Sequence, residues 1–173
     1  VLAVELKDIT LSNAGDYYAV LCTENSAEDK KIRTDTKPGT KNPVWNKTYY
    51  VLNNSIEQNL LINVYKSGGF GKDKLVGTAE FDLTSCYQKD KFTGLNVKLK
   101  SSGKHVGFAN FDLFYFPELE APTLDDGAKG PVPESEVGIL KFVLNEAKDL
   151  DVSSSLVGQV SPYAEIYFDG KLK

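Results

Sequence analysis

Eight short runs in which apolar and polar residues alternate, each closed by a turn signal, fill the first 116 residues and leave little choice of fold. They span residues 1–6, 17–22, 31–35, 44–52, 60–65, 76–83, 95–99 and 106–116. In the first, Leu2, Val4 and Leu6 share one parity. In the last, Ala109, Phe111, Leu113 and Tyr115 share one and Phe108, Asn110, Asp112, Phe114 and Phe116 the other. Side chains of a strand point alternately to opposite faces, so such a period places one set in a core and the other toward solvent. No window carries a helical period, apart from room for a short helix at residues 83–87. The expected fold is therefore all-β, an eight-stranded antiparallel sandwich.

Charge divides the chain where periodicity does. Residues 1–116 hold 15 basic and 13 acidic side chains, a balance of +2. Residues 117–136 hold six acids against Lys129 alone, a balance of -5, together with Pro117, Pro122, Pro131, Pro133, Gly127 and Gly130. Proline removes backbone donors and clustered acids repel, so this stretch reads as a linker. The expected division is a first domain at 1–118, a linker at 119–136 and a partial domain at 137–173. The tail repeats the opening: residues 138–144, a loop, then 163–168 match the texture of 1–6, a loop, then 17–21. A 37-residue β fragment buries too little apolar surface to stand alone. It is expected to lean on the first domain or on another chain.

Several functions are disfavoured by composition. The net charge of -4 and pI near 5.1 argue against a nucleic-acid binder. No apolar run reaches the ~18 residues of a membrane span, and no signal-peptide pattern opens the chain. Cys22 and Cys86 form no metal-type cluster and sit among apolar strand residues, as reduced buried thiols do. His105 is the only histidine. With no nucleophile–base pair, paired carboxylates or phosphate-cradling glycine motif, no catalysis and no cofactor are expected.

Three motifs in order carry a resemblance. Gly15-Asp16-Tyr17-Tyr18-Ala19-Val20, Lys41-Asn42-Pro43-Val44-Trp45-Asn46 and Lys72-Asp73-Lys74-Leu75-Val76-Gly77 make residues 1–118 resemble a C2 domain. The strand order resembles the type II permutation, in which the Leu2-Val4-Leu6 strand comes first. The tail, through Asn145-Glu146-Ala147-Lys148-Asp149-Leu150 to Ser161-Pro162-Tyr163, resembles the first strands of a second C2 domain. Tandem C2 domains joined by an acidic linker are similar to the fungal tricalbins, relatives of the extended synaptotagmins. The resemblance implies a module of a tether on the cytosolic side of the endoplasmic reticulum at plasma membrane contact sites, linked to lipid transfer.

Calcium-binding C2 domains hold the ion between loops with several carboxylates, because Ca²⁺ takes six to eight hard oxygens. Here Asn13 falls near the family's first loop aspartate and Asp16 matches the second. Lys66 and Gly68 stand where the third loop has its aspartates, and Asp73 survives further on. Two carboxylates with a lysine between them make a poor divalent site, so calcium-independent behaviour is expected and no metal ligand is assigned. Asp16 and Asp73 read as turn caps beside glycine. Trp45 reads as core.

Two groups of residues read as lipid contacts. Lys30, Lys31, Arg33, Lys37, Lys41 and Lys47 form a basic ribbon on the third strand and beyond, where alternation sets Lys31, Arg33, Asp35 and Lys37 opposite Ile32. C2 domains commonly bind anionic inositol lipids on this strand pair. Lys66, Phe70 and Lys72 place an apolar tip between two charges on a glycine-rich loop, as insertion into an anionic surface needs. The expected partners are anionic phospholipids, phosphoinositides among them, and a neighbouring C2 domain. The alternative is a spacer that has lost lipid affinity and packs against proteins. The shortened first loop and the third loop stripped of its aspartates favour that alternative, while Asp35 within the ribbon suits a solvated strand face that merely keeps the edge from aggregating.

Overall fold

In the computed structural model the described residues are 1–53, 55–69, 71–117 and 146, with the backbone of Tyr167–Phe168 and Lys171–Leu172. The chain divides into two compact units, Val1–Ile139 and Leu140–Lys173. Among the described residues the first unit contains β1 (Leu2–Leu11), β2 (Gly15–Thr23), β3 (Ile32–Arg33), β4 (Lys37–Thr40), β5 (Val44–Val51), β6 (Asn59–Lys66), β7 (Lys74–Asp82), β8 (Lys91–Ser101) and β9 (Lys104–Tyr115). They join in the order β3-β2-β6-β7-β8-β9-β1-β5, with β4 also paired to β2. Between β7 and β8 the ladder narrows to the single pair Thr78 and Lys100. The path bends there into two sheets, β3/β4-β2-β6-β7 and β8-β9-β1-β5. This is the expected eight-stranded antiparallel sandwich with its third strand in two pieces. The opening strand β1 lies between β9 and β5, as the type II order requires.

The third strand breaks because Thr34 competes with the ladder. Its Oγ1 accepts the Ala19 N–H at 3.0 Å, and its own N–H donates to the Ala19 carbonyl at 2.9 Å. Thr34 is buried. The expected continuous run over 31–35 is therefore corrected to Ile32–Arg33, a break, and Lys37–Thr40.

The opening strand is longer than its first alternation indicates. A bulge between Leu6 and Asp8 inserts Lys7 and inverts the parity, so Leu2, Val4 and Leu6 are followed by Ile9 and Leu11 in the same core. Across the bulge the Lys7 ammonium donates to Asp112 at 2.8 Å. Asp112 also accepts the Gly94 N–H at 2.7 Å, tying β1, β8 and β9 together.

Phe111, Leu60, Ile62, Leu83, Leu99 and Leu113 are fully buried between the sheets. Each contributes about 1.5–3 kcal/mol by leaving water. Where β9 crosses β1, a Cβ on Gly107 would stand 2.1 Å from the Thr10 carbonyl oxygen, so only glycine allows that approach. Trp45 is buried, its indole N–H donating to the Asp35 carbonyl at 2.9 Å. Cys22 and Cys86 are buried free thiols. The short helix expected at 83–87 is a 3-10 turn over Leu83–Tyr87, capped by Asp82, whose side chain accepts the Thr84 N–H at 2.9 Å. In the second unit Tyr167–Phe168 (β10) pairs antiparallel with Lys171–Leu172 (β11). The linker at 119–136 and the rest of the second repeat lie outside the described residues, Glu146 apart.

Candidate functional site: the loop end of the sandwich

Strand pairing gathers four connections at one end. Gly15 pairs with Thr40, Tyr17 with Lys66, Lys66 with Lys74, and Leu11 with Gly107. The Leu11 N–H donates to the Lys41 carbonyl at 2.9 Å and the Ile9 N–H to the Pro43 carbonyl at 3.0 Å. The loops at 12–14, 41–43 and 67–73 and the tight turn at Ser102 and Gly103 therefore share an end. Every base of the β6–β7 connection, Lys66, Lys72 and Lys74, is exposed, as is Lys41. None of the four has an ion-pair partner among the described residues.

The two carboxylates of this end are already engaged. Asp16 Oδ1 accepts the Gly39 N–H at 2.7 Å, and its backbone carbonyl accepts the Ser67 N–H at 2.8 Å. Asp73 accepts the Gly68 N–H at 2.9 Å on one oxygen and the Tyr18 hydroxyl at 2.7 Å on the other. The Gly68 N–H, then the Tyr18 hydroxyl, hold the Asp73 carboxyl below the ordinary carboxylate range. These are the glycine-side turn caps anticipated for Asp16 and Asp73. Among the described residues no three His, Cys, Asp or Glu side chains cluster as metal ligands would.

The basic ribbon is less free than its sequence implies. Lys31 pairs with Glu28, and Lys37 pairs with Asp35 at 2.7 Å. Arg33 lies 3.8 Å over the Tyr18 ring, and its Nη2 is 3.9 Å from Asp73. Tyr18 in turn stacks on Tyr65, centroids 5.3 Å apart. Burial, with the hydrogen bond to Asp73 second, pushes the Tyr18 phenol up to about 12. Lys30 is exposed at the end of a one-turn 3-10 helix, Glu28–Lys30. Lys47 sits on β5 in the other sheet, its ammonium 5.6 Å from the Tyr49 ring centroid. The structure thus brings Lys41, Lys66 and Lys72 to one end and keeps Lys31, Arg33 and Lys37 along the β3/β4 edge, with Lys47 on the facing strand β5, where its charge also reaches the Asp35 carboxylate paired with Lys37. Phe70 lies outside the described residues.

Sequence reasoning missed the basic residues of the β8–β9 hairpin. Lys100 pairs with His105 and Ser101 with Lys104, which sets all three basic residues at the loop end. The Ser102-Gly103 turn signal between two strand runs could have located them.

A profile of the C2 domain family matches residues 1–97. The chain belongs to the C2 domain family. It is 30% identical to Tricalbin-3 of Saccharomyces cerevisiae over 188 aligned positions, covering 93% of the chain and 12% of that relative. To Tricalbin-1 of the same yeast it is 31% identical over 181 positions, covering 99% of the chain and 15% of that relative. The chain therefore spans less than a sixth of these relatives. A solved C2 domain of plant Extended Synaptotagmin 1 superposes with a TM-score of 0.57 at 18% identity, covering 69% of this chain and 95% of that one. This C2 sandwich and its relatives agree with the resemblance that the three motifs carried.

Proposed function

We propose that this C2 domain docks on anionic phospholipid surfaces through its loop end, without a bridging calcium ion, as one module of a tether between the endoplasmic reticulum and the plasma membrane. One observation carries the reading. Lys41, Lys66, Lys72 and Lys74 are exposed and, among the described residues, without acidic partners, at the end where both carboxylates are consumed by turn contacts. Each basic residue near an anionic bilayer contributes about 1 kcal/mol, so four give a weak, salt-sensitive grip. Further C2 modules would multiply it. The relatives named tricalbins support the contact-site setting and the cytosolic face of the endoplasmic reticulum. The reading is of a binding module without a catalytic step or cofactor, and phosphoinositides are the densest anionic partners for it.

The test is co-sedimentation of the full chain with phosphatidylcholine vesicles, with and without phosphatidylserine and phosphatidylinositol bisphosphate. Binding that needs the anionic lipid, needs no calcium and weakens on Lys66→Glu with Lys72→Glu supports docking. Equal sedimentation with neutral vesicles defeats it.

A second reading draws on the ion pairs Lys31–Glu28 and Lys37–Asp35. They neutralise part of the β3/β4 edge and suit a spacer that contacts proteins. That edge and the loop end can be reversed in charge separately, which distinguishes the two.

A further inference from the structure

The path of strand pairing ends at β3 on one side and at β5 on the other, and β5 pairs with β1 alone. Residues Lys47–Val51 of β5 meet Leu2–Leu6 without a shift, while Asn46, at φ 46°, and the irregularity between Leu6 and Asp8 interrupt the strand before them. Lys47–Val51 therefore presents a regular main-chain edge to one side, as long as an ordinary strand. Its side chains divide by face. Thr48 and Tyr50 are exposed on the outer face with Val44, Tyr50 at 56% and Val44 at 49%. Trp45 and Tyr49 are buried on the inner face, and Lys47, of the same parity, is exposed where that face reaches the seam with β3 and β4. Across the seam Lys37 holds Asp35 at 2.7 Å, and the Trp45 indole is bonded to the Asp35 carbonyl. The Lys47 charge acts on the same carboxylate, and Lys47 forms no ion pair among the described residues. Two ammonium groups thus share one carboxylate and leave a surplus positive charge. The Tyr49 hydroxyl is buried beside Asp35 in this seam and makes no hydrogen bond of ordinary geometry.

We propose that the open edge of β5 takes an extended segment of a protein partner as a further strand, its apolar residues beside Tyr50 and its acidic residues in the seam at Lys47 and Lys37. Main-chain bonds along Lys47–Val51 supply the grip, and strand alternation sends apolar and acidic residues to the two faces that want them. Charge selects the occupant. A lysine on an edge strand turns away strands that bring no acid. β5 itself has no acidic residue, so a second copy pairing through this edge would add charge of the same sign. A lipid headgroup would use the two lysines and leave the main chain and Tyr50 unused. The edge runs toward the end opposite the loops, where Val51, Leu2 and Tyr115 align, so the inference is independent of docking through the loop end.

The experiment titrates the full chain with the peptide acetyl-Thr-Val-Glu-Val-Glu-Val-Thr-amide and, in parallel, with the same peptide carrying lysine in place of glutamate. Trp45, the only tryptophan, reports the seam by its emission, and NMR shifts of the amides at 47–51 report the edge. Shifts there with the acidic peptide, and binding about tenfold weaker for the basic one, are expected. Lys47→Glu should weaken the acidic peptide by about tenfold and strengthen the basic one, a reversal that loss of the fold would not give. Lys47→Gln should weaken the acidic peptide without strengthening the basic one. Tyr50→Ser, at an exposed position, should weaken both by about threefold. Equal binding of the two peptides, absent shifts at 47–51, or unchanged affinities in Lys47→Glu overturn the proposal. A dimer of the chain that the peptide dissociates gives the edge to a second copy and overturns the partner. Shifts at 47–51 produced by Glu118→Gln with Glu120→Gln, with no peptide present, give it to the chain's own acidic stretch and do the same. Loss of anionic-vesicle sedimentation in Lys47→Glu would make the edge a membrane contact and overturn it as well. Docking itself is read from Lys66→Glu with Lys72→Glu, so the two readings fail separately.

Discussion

The Tyr18 hydroxyl donates to Asp73 at 2.7 Å, joining a strand of the sandwich to the loop that precedes β7. Because Asp73 also receives the Gly68 N–H, this contact, together with the Ser67 N–H on the Asp16 carbonyl, holds the Lys66–Lys72 loop in register with the sheet.

That contact has a pH signature. The Tyr18 phenol is pushed from 10 up to about 12, first by burial and then by Asp73. A proton held more tightly in the folded state stabilises it fully below the unfolded pKa near 10. The stabilisation is lost as pH rises toward 12, with a limiting slope of roughly 1.4 kcal/mol per pH unit. Urea unfolding between pH 9 and about 11.5 should show falling stability. Tyr18→Phe should remove its share of that slope. An unchanged slope in the variant would show that Tyr18 is not the group involved.

Asp112 gives the opposite sign. The hydrogen bond from Lys7, followed by that from the Gly94 N–H, holds its carboxyl below the ordinary range despite burial. The stability this provides is present above the unfolded pKa near 3.9 and is lost as pH falls through the lower folded value. Asp112→Asn should cost about 1–3 kcal/mol at neutral pH, by weakening a partly buried bond to an ammonium. Chemical denaturation at pH 7 and pH 3 checks both, and the deficit should shrink at the lower pH.

Trp45 fills the flank where β5 faces β3. Trp45→Ala should cost roughly 3–5 kcal/mol in a urea melt. Trp45→Phe should cost less, keeping the ring but losing the indole bond to the Asp35 carbonyl. A loss under about 0.5 kcal/mol for the alanine variant would mark a surface residue.

Gly107→Ala places a methyl group against the Thr10 carbonyl. The overpacking should cost about 1–3 kcal/mol or more, because a backbone oxygen cannot rotate away. Thermal melting checks it, with Gly71→Ala, whose added Cβ meets only the Gly68 carbonyl oxygen at 3.4 Å, as the comparison.

Calorimetry separates loop chemistry from lipid chemistry. Titrating Ca²⁺ into the chain should give no micromolar binding heat. A heat abolished by Asp73→Asn would reverse the proposed calcium independence.

The sandwich was legible where alternation is simple. Tyr17 to Cys22 and Leu60 to Tyr65 read as strands because apolar spacing and turn signals agree. It was illegible where one residue changes the period. Lys7 bulges out of β1 and hides Ile9 and Leu11 from a parity count, and Thr34 interrupts the third strand by exchanging bonds with Ala19. The candidate site was half legible. Loop position indicated Lys66 and Lys72, and Lys41 was read with the basic ribbon, but charge neutralisation by Glu28 and Asp35 depends on side-chain reach that spacing does not encode. Lys74 and the Lys100–Lys104–His105 group share the end only through strand register, a long-range property of the fold.

The solitary Thr78–Lys100 link means that one flank of the sandwich is sewn shut by main chain, while the other is fastened by Trp45 and Asp35. The path of paired strands ends on that second flank, at β3 and at β5. There Pro38 and the interruption after Arg33 leave β4 and β3 a poor template. At the other end of the path β5, paired only to β1, displays Val44 and Tyr50 to solvent and offers an open edge along which the sheet can be extended.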